Sequence, residues 1–482
     1  MKVYNQLLLS LGASSPIKEG TVPAVYFLGI GGIGMSALAR YFISQGVVVS
    51  GYDKTETALT RQLSAEGMHI HYEDTIELVD KNAQLVIYTP AVPKDSTSLN
   101  FYQQNNYTVV KRSDVLGAIT NDAFNICIAG THGKTTTSTM VGHILRHSEY
   151  GCNAFLGGIA VNYATNFWSH RNNVCVVEAD EYDRSFLKLS PDIAIITSMD
   201  ADHLDIYGTA ERMEQAFIDF SKRVKPGGLL ISKYGLARTV DLFADQQLTY
   251  HVTDSSANIY ATNIAIHQGS YQFDVVINST DSKWILQHVV LNMGGKHNIE
   301  NMVAAIAVAH HIGVEDNKII SAVADFRGVK RRFEYILKTE QQVYIDDYAH
   351  HPEELRALIT GTKELFPNKK CIVVFQPHLY SRTRDLADGF AEVLDLADEA
   401  ILLPIYPARE LPMEGVSSEL ILDRMHSEDR LVLSKESLLK QFSLEKAAHV
   451  EEGFEGTVVI TAGAGDIDTL VEPIKQILQS KN

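Results

Sequence analysis

One segment combines glycines, a lysine and threonines between an apolar strand-like run and a helical pattern: Gly130, Thr131, His132, Gly133, Lys134, Thr135 and Thr136. The backbone N–H groups of such a turn, and those at the start of the following helix, can bind phosphate groups. The ammonium of Lys134 can contact the β- and γ-phosphates, and the hydroxyl of Thr135 can be a ligand of Mg²⁺. Ile128 occupies the place of the first glycine in the common GxxxxGK(S/T) pattern. The segment therefore predicts a nucleoside triphosphate site.

Two acidic clusters follow the next two apolar runs of the chain. Glu178 opens the cluster EADE, and Asp200 opens the cluster DADH, which ends with His203. Because ligands of open α/β sheets bind at the carboxyl ends of the strands, both clusters should face the phosphate loop. Oxygen ligands of this kind suit Mg²⁺, so the clusters predict a metal site. A histidine at a strand end also has an ordinary interpretation, as a capping or packing residue.

A second glycine loop lies near the start of the chain, where Gly29, Gly31, Gly32 and Gly34 form a GxGxxG pattern and Asp53 ends the next strand. This pattern is typical of dinucleotide binding, with the acid on a ribose, so an NAD-dependent oxidoreductase is one alternative. However, a phosphate-binding helix start does not distinguish NAD from another nucleotide diphosphate. A dehydrogenase also has no evident use for a triphosphate loop. We therefore interpret the loop as the diphosphate site of a UDP-type substrate.

The elements that must position these residues form three series of alternating strands and helices. Such alternation predicts parallel sheets with right-handed crossovers. The stretch from Leu248 to Leu291 is rich in alternating β-type residues and predicts added antiparallel strands. We therefore expect an α/β protein with domains at residues 1–117, 118–328 and 329–482.

The composition excludes several classes of protein. The formal net charge is -17, which disfavours binding to nucleic acid or to an anionic membrane. No run of about 18 apolar residues could span a bilayer. The 4 cysteines lie singly, without the spacing of a zinc site or a disulfide framework. These features predict an enzyme of the reducing cytoplasm.

A series of motifs occurs in order along nearly the whole chain: GTHGKTT, EADEYDRSFL, DADHLD, KHNIEN, FRGVKRRFE, DDYAHHPEE, FQPHLYSRTRDL, PIYPARE and GAGD. Together they resemble the muramyl-peptide (Mur) ligases, and among them the group that joins L-alanine to UDP-N-acetylmuramate. The resemblance implies an N-terminal Rossmann-like domain for the UDP-sugar, a central P-loop ATPase domain, and a C-terminal Rossmann-like domain that completes the site. It also implies that ATP converts the sugar carboxylate to an acyl-phosphate, which the amine of L-alanine attacks, in peptidoglycan precursor synthesis.

The resemblance also assigns roles in phosphate and metal binding. Lys134 is expected to contact phosphate, and Thr135, Glu178 and His203 are expected to bind Mg²⁺. Outside the phosphate loop, the resemblance places six residues at ATP: His297, Asn298, Asn301, Arg332, Asp347 and Tyr348. An alternative stays open for the pair His297 and Asn298, in which one of them is simply the N-terminal cap of a core helix.

The amino-acid side of the reaction is expected to come from the last third of the chain. His378 and Arg382 resemble the residues that hold the amino acid, and His378 also has an ordinary interpretation as a structural histidine beside a proline. His203 or His350 could accept the proton of the amine, and the sequence does not choose between them. The expected partners are therefore UDP-N-acetylmuramate, L-alanine and ATP, and a homodimer stays open.

Some positions depart from the usual family pattern, and other functions remain as alternatives. Leu379 replaces a common arginine, Lys296 replaces an arginine that often precedes the His-Asn pair, and Tyr182 stands where serine is frequent. A sister ligase that attaches a recycled peptide to the same UDP-sugar has similar central motifs. Folate polyglutamate-type ligases share the ATPase core but would leave the first glycine loop unexplained. A non-enzymatic regulator would be expected to lose Lys134 or Glu178.

Overall fold

The structure, a computed structural model, describes residues 2–13, 16–18, 20–201, 204–278, 283–408, 410–444 and 453–480. The chain forms two compact units. Unit 1 comprises Met1–Tyr260, Val275–Ile285 and Asn301–Ala322, and unit 2 comprises Ala261–Asp274, Leu286–Glu300 and Val323–Asn482. No helix in the described part of the chain has both the length and the hydropathy needed to span a bilayer.

The first part of unit 1 is a parallel sheet with helices. Its elements are α1 (Lys2–Ser10), β1 (Ala24–Leu28), α2 (Ile33–Ser44), β2 (Val48–Tyr52), α3 (Ala58–Ala65), β3 (His69–His71), β4 (Leu85–Tyr88), α4 (Thr97–Gln104), β5 (Val109–Lys111) and α5 (Arg112–Thr120). The strand order is β3-β2-β1-β4-β5, and all neighbours are parallel. Val25 and Phe27 of β1 enter one core cluster, while Tyr26 and Leu28 enter another. The central strand is therefore buried on both faces, as expected of a parallel sheet.

The second sheet carries the phosphate loop. Its elements are β6 (Phe124–Ala129), α6 (Lys134–His147), β7 (Asn153–Ala160), β8 (Thr165–Trp168), β9 (Val174–Glu178), β10 (Ile193–Ile196), α7 (Leu204–Tyr207), α8 (Ala210–Ser221), β11 (Leu229–Lys233), β12 (Gln246–His251), β13 (Ile259–His267), β14 (Ser270–Asn278), β15 (Lys283–Leu291), α9 (Lys296–His311) and α10 (Asp316–Asp325). The strand order is β15-β14-β13-β12-β11-β10-β6-β9-β7-β8, with β7 and β8 antiparallel. Because β6 lies between β10 and β9, the phosphate loop and both acidic strand ends share one edge.

The sequence-based expectation for the stretch that begins at Leu248 was wrong in one respect. Strand β12, which contains Leu248, is parallel to both β11 and β13 rather than antiparallel. Alternating side chains show that a strand has two different faces, but they carry no information on the direction of its neighbours.

Unit 2 contains the last sheet. Its elements are β16 (Glu334–Lys338), β17 (Gln342–Asp347), α11 (Pro352–Leu365), β18 (Lys370–Phe375), α12 (Tyr380–Asp385), α13 (Ala387–Leu394), β19 (Glu399–Leu402), α14 (Glu419–Leu422), β20 (Arg430–Val432), α15 (Lys435–Leu444), β21 (Thr457–Ala462) and α16 (Val471–Gln479). The order is β16-β17-β21-β18-β19-β20, in which only the pair β16–β17 is antiparallel among these neighbours. The motifs DDYAHHP and QPH follow β17 and β18, so the sheet places both at its carboxyl edge.

A buried polar contact joins α2 to β8 within unit 1. Asn166 of β8 is 0% exposed, and its amide donates to the carbonyl of Ile33 at 2.6 Å and to the hydroxyl of Ser36 at 3.0 Å. Arg40 of α2 donates to the Asn166 side-chain oxygen and pairs with both carboxylate oxygens of Glu66 at 2.8 Å. Because buried polar groups must be paired, this network fixes the helix of the first glycine loop against the second sheet.

The substitution Asn166→Ala should therefore destabilise unit 1. It leaves the Arg40 guanidinium and the Ile33 carbonyl without their buried partner, and we expect a loss of about 2 kcal/mol or more. Urea denaturation followed by circular dichroism measures the change. The matched control Asn317→Ala, at an exposed position of α10, should stay within about 0.5 kcal/mol of the parent. Equal midpoints for the two variants would contradict a structural role for Asn166.

Candidate active site

The phosphate loop between β6 and α6 depends on two glycines. Gly130 has a φ of 134° and Gly133 a φ of 81°, conformations that other residues rarely adopt. A Cβ on Gly130 would lie 2.1 Å from the hydroxyl of Thr197, and a Cβ on Gly133 would lie 2.9 Å from the side-chain oxygen of Asn301. The structure therefore brings Asn301, a residue expected at the nucleotide, against the loop.

Hydrogen bonds to the end of β10 hold the loop in shape. The hydroxyls of Thr131 and Ser198 are 2.7 Å apart, and the N–H of His132 donates to the Ser198 hydroxyl at 2.7 Å. The N–H of Asp200 donates to the Thr131 hydroxyl at 3.2 Å. The His132 ring lies 3.9 Å from the Asp200 carboxylate at the exposed edge of the loop. Ser198 is thus a supporting residue that sequence reasoning missed, because nothing local marks a serine as a loop contact.

Glu178, at the end of β9, is the acidic residue that reaches the phosphate loop. The hydroxyl of Thr135 donates to one of its oxygens at 3.1 Å, and the N–H of Gly157 donates to the other at 2.9 Å. A Cβ on Gly157 would lie 2.2 Å from the carboxylate, so only glycine leaves room for it. Burial raises the pKa of the Glu178 carboxyl, and the charge of Lys134 opposes this effect in part. A half-buried carboxylate beside a threonine hydroxyl is a donor set that suits Mg²⁺.

The third expected metal ligand, His203, lies outside the described residues. Within the described ranges, no group of three or more His, Cys, Asp and Glu side chains is arranged to hold a metal ion.

A cavity of about 430 Å³ in unit 1 connects the first glycine loop to Glu178. Its walls include Gly32 and Gly34 of the glycine loop, together with Lys111, Arg112, Thr89, Phe155, Gly157, Glu178, Asp180 and Tyr182. Lys111 and Arg112 were missed in the sequence analysis, because no local motif marks them. Their positive charges suit an anionic ligand in an otherwise acidic protein.

Other residues of the first glycine loop hold its own backbone. The N–H of Gly31 donates to a carboxylate oxygen of Asp53 at 2.7 Å, and a Cβ on Gly31 would lie 2.7 Å from a methyl of Thr60. Gly29 has a φ of 83°, which favours glycine. Asp53 therefore stabilises the loop through one oxygen, whereas Gly32 and Gly34 border the cavity.

In unit 2, two residues that are expected to bind the nucleotide, Asp347 and Tyr348, lie at the carboxyl end of β17. One oxygen of Asp347 accepts from the N–H of Phe333 at 2.6 Å, and the other accepts from the N–H of Ala349 at 2.7 Å. Burial raises the pKa of Asp347 to about 6. Tyr348 is 40% exposed, and its carbonyl lies 2.9 Å from the His350 ring nitrogen Nδ1. Asp347 therefore holds the loop, while Tyr348 is partly exposed and its ring lies 5.2 Å from that of His350.

The two arginines of the motif RRFE have different surroundings. Arg331 is tied down by the Asp346 carboxylate at 3.3 Å, by the carbonyl of Gly463 at 2.5 Å and by the ring of Tyr348 at 5.2 Å. Arg332 is exposed, and its guanidinium is therefore accessible to a ligand. The sequence-based choice of Arg332 as the nucleotide residue stays a prediction, and the surroundings of the two side chains favour it.

The His-Asn pair at the start of α9 also belongs to unit 2. The side chain of Asn298 donates to the carbonyl of Gly294 at 2.6 Å, and the ring of His297 lies over Gly295, where a Cβ would be 2.4 Å from it. Lys296, the departure from the family pattern, pairs with Glu364 at 3.0 Å. Asn298 thus ties the start of α9 to the preceding loop, while the nucleotide role of the pair stays a prediction.

The two residues of unit 2 that are expected to bind the amino-acid substrate each have a buried nitrogen without a hydrogen-bond partner among the described residues. Nδ1 of His378 and Nη1 of Arg382 are buried and have no hydrogen-bond partner among the described residues. The His378 ring stacks on Tyr406 at 5.8 Å and lies 6.2 Å from the ring of His350. Burial, and then the charge of Arg382, lowers the pKa of His378. Between the two residues, Leu379 has a φ of 70°, a strained conformation of the kind found at functional sites.

Comparison with known protein families agrees with this arrangement. Residues 24–123 match the Mur ligase family, catalytic domain, residues 128–309 match the Mur ligase middle domain, and residues 331–465 match the Mur ligase, glutamate ligase domain. A curated relative is 47% identical over 94% of this chain and 97% of its own length. The chain belongs to the Mur ligase family.

The similar proteins with curated names narrow the comparison further. The relative just described is the UDP-N-acetylmuramate–L-alanine ligase of Flavobacterium johnsoniae, and the enzyme of the same name from Parabacteroides distasonis is 48% identical over 95% of this chain and 97% of its own. The crystal structure of UDP-N-acetylmuramate-alanine ligase from Thermotoga maritima matches with a TM-score of 0.78 at 29% identity, covering 95% of this chain and 100% of that one.

Proton and cation should compete for Glu178. Because burial raises its pKa, the neutral acid gains population as the pH falls, and the neutral acid is a poor ligand for a cation. We expect the Mg²⁺ concentration needed for half-maximal ATP binding to rise as the pH is lowered from neutral toward the usual titration range of a carboxyl group. Calorimetric titrations across this range measure the effect. In Glu178→Gln the pH dependence should disappear, and an unchanged dependence in that variant would assign it to another group.

Proposed function

We propose that this protein is an ATP-dependent ligase that joins L-alanine to the carboxylate of UDP-N-acetylmuramate in peptidoglycan precursor synthesis. The products are UDP-N-acetylmuramoyl-L-alanine, ADP and phosphate. The observation that carries the proposal is that Glu178 contacts Thr135 of the phosphate loop and also lines the cavity that begins at the first glycine loop. A UDP-sugar in this cavity would have its far end next to the terminal phosphate of ATP, and the two similar curated ligases named above support the substrate.

The first chemical task is to activate a carboxylate. A carboxylate resists attack by an amine because oxide is a poor leaving group, and transfer of the γ-phosphoryl group converts it to an acyl-phosphate. Lys134 places positive charge at the loop, and the backbone N–H groups at the start of α6 offset the charge of the phosphates. The cavity wall holds the substrate in place, so that positioning contributes much of the rate.

Mg²⁺ would be held by Thr135 and Glu178, with His203 as a further expected ligand. When bound, it would offset negative charge on the phosphates during transfer. Glu178 is kept in place by the N–H of Gly157 and by the Thr135 hydroxyl. These two bonds orient the carboxylate before any ligand arrives.

The amine is proposed to bind in unit 2. Arg382 can hold the alanine carboxylate through a planar pair of hydrogen bonds. His378, whose buried Nδ1 has no partner among the described residues, can orient the amino acid. His203 and His350 remain the candidates for accepting the proton of the amine. We further propose that three domains, at residues 1–117, 118–328 and 329–482, divide this work, and that the enzyme acts in the cytoplasm.

Phosphate release from ATP tests the function and the role of Lys134 together. The wild type should release phosphate with UDP-N-acetylmuramate and L-alanine, and Lys134→Ala should lose at least about a hundredfold in kcat because the phosphoryl group loses its charge partner. UDP-sugar binding by Lys134→Ala, measured by calorimetry, should be nearly unchanged. Release only with a recycled tripeptide in place of L-alanine would favour the sister ligase, and tight NAD binding without UDP-sugar binding would exclude both.

The proposed role of Arg382 in binding L-alanine can be tested by comparing substitutions of Arg382 and of the nearby Arg384. Arg382→Lys cannot reproduce a planar two-point contact, so we expect the KM for L-alanine to rise at least about tenfold, with ATP and UDP-sugar little affected. The matched control is Arg384→Lys, at an exposed arginine that pairs with Asp385 at 2.7 Å. A selective effect of Arg382→Lys on ATP would place Arg382 at the nucleotide instead.

A further inference from the structure

Two consecutive carboxylates after β9, those of Asp180 and Glu181, each pair with a cation that lies in or beside one of the two glycine loops. A carboxylate oxygen of Glu181 lies 2.8 Å from the ammonium of Lys134, in the phosphate loop. A carboxylate oxygen of Asp180 lies 3.4 Å from the guanidinium of Arg112. That guanidinium lies against the first glycine loop, because a Cβ on Gly34 would be 2.9 Å from it. The short segment Asp180–Glu181 therefore reaches both loops.

The ammonium of Lys134 has three N–H donors, and their partners are unequal. One donor is directed to the carbonyl of Gly130 at 2.6 Å and another to Glu181 at 2.8 Å. The carbonyl of Thr131, at 3.5 Å, is at the limit of hydrogen bonding. Two short bonds thus fix the nitrogen beside the loop, and the third donor is held only weakly.

Glu181 is built into the structure more firmly than an ordinary surface acid. Its side chain is 1% exposed, compared with 13% for Lys134 and 40% for Asp180. Its carbonyl accepts a hydrogen bond from the hydroxyl of Tyr207 at 2.6 Å, which holds the backbone at this point. A carboxylate is retained in such a place only when it is paired, and here its partner is the lysine of the phosphate loop.

We propose that Glu181 is a positioning residue for Lys134, holding its ammonium beside the phosphate loop so that the third donor is available to the γ-phosphoryl group. The inference rests on the proposed function and adds a residue to it. A lysine has a long, flexible side chain that loses considerable rotamer entropy when it is ordered. With Glu181 in place, the ordering is complete before ATP binds, and the charge is already where the transferring group needs it.

Glu181→Ala tests the proposal, with Glu181→Gln as the conservative variant. The alanine variant releases Lys134, and we expect kcat to fall about tenfold to a hundredfold, as for other small misplacements of a catalytic group. The glutamine variant keeps an oxygen that can accept from Lys134, so it should recover part of kcat. The KM for the UDP-sugar should change less than about threefold in both variants, because neither substitution alters the contacts of the first glycine loop.

Asp180→Asn is the matched contrast, since it removes the neighbouring charge on the other side of the same segment. It should raise the KM for the UDP-sugar while changing kcat less than Glu181→Ala does. A kcat for Glu181→Ala within about twofold of the wild type would overturn the inference. The inference would also fail if Glu181→Ala and Glu181→Gln lost the same amount of kcat and both had a lowered melting temperature. That result would indicate an ion pair with a purely structural role.

The outcomes also separate this inference from the proposed function. If the wild type releases no phosphate with any amino acid or peptide, the proposed function fails and Glu181 has no reaction to serve. If the wild type ligates L-alanine and Lys134→Ala is inactive, but Glu181→Ala is as active as the wild type, only the positioning role fails.

Discussion

The Glu178 carboxylate is the contact on which the arrangement of unit 1 depends. Its two oxygens accept from Thr135, in the phosphate loop, and from Gly157, in the neighbouring strand β7. The same side chain forms part of the wall of the cavity that begins at the first glycine loop. A carboxylate that is partly removed from water in this way is unfavourable unless a cation or strong donors accompany it. The fold therefore places a demand for positive charge at the point where two anionic substrates would meet.

Small residues surround the site for steric reasons. Gly157 leaves room for the carboxylate, and Gly130 and Gly133 allow the phosphate loop its unusual backbone angles. The contact between Arg40 and Asn166 acts at longer range, because it holds the helix after the first glycine loop against the second sheet. Small shifts of α2 would move the loop relative to Glu178. Such supporting contacts are as necessary to the site as the residues that would touch a ligand.

Much of this could be predicted from the sequence, but not all of it. The phosphate loop and the GxGxxG loop were recognisable because their chemistry is carried by neighbouring residues, and the three α/β series followed from the alternation of strands and helices. Ser198, Asn166 and Arg112 were missed, since each acts through a contact with a residue far away in the chain. The direction of β12 was wrong for a related reason, because strand direction depends on which strands become neighbours.

In unit 2, the hydrogen-bond partners of the polar side chains indicate where a ligand would bind. Asp347 accepts a backbone N–H bond at each oxygen, so both oxygens help to hold the loop in place. His378 and Arg382 are different, because each keeps a buried nitrogen that no described residue satisfies. An unsatisfied buried donor costs about 1–3 kcal/mol, and the strained backbone at Leu379 adds to that cost. A ligand carboxylate that supplied the missing acceptors would remove the first of these costs and so stabilise the site. For this reason His378 and Arg382 are better candidates than Asp347 for binding the amino acid.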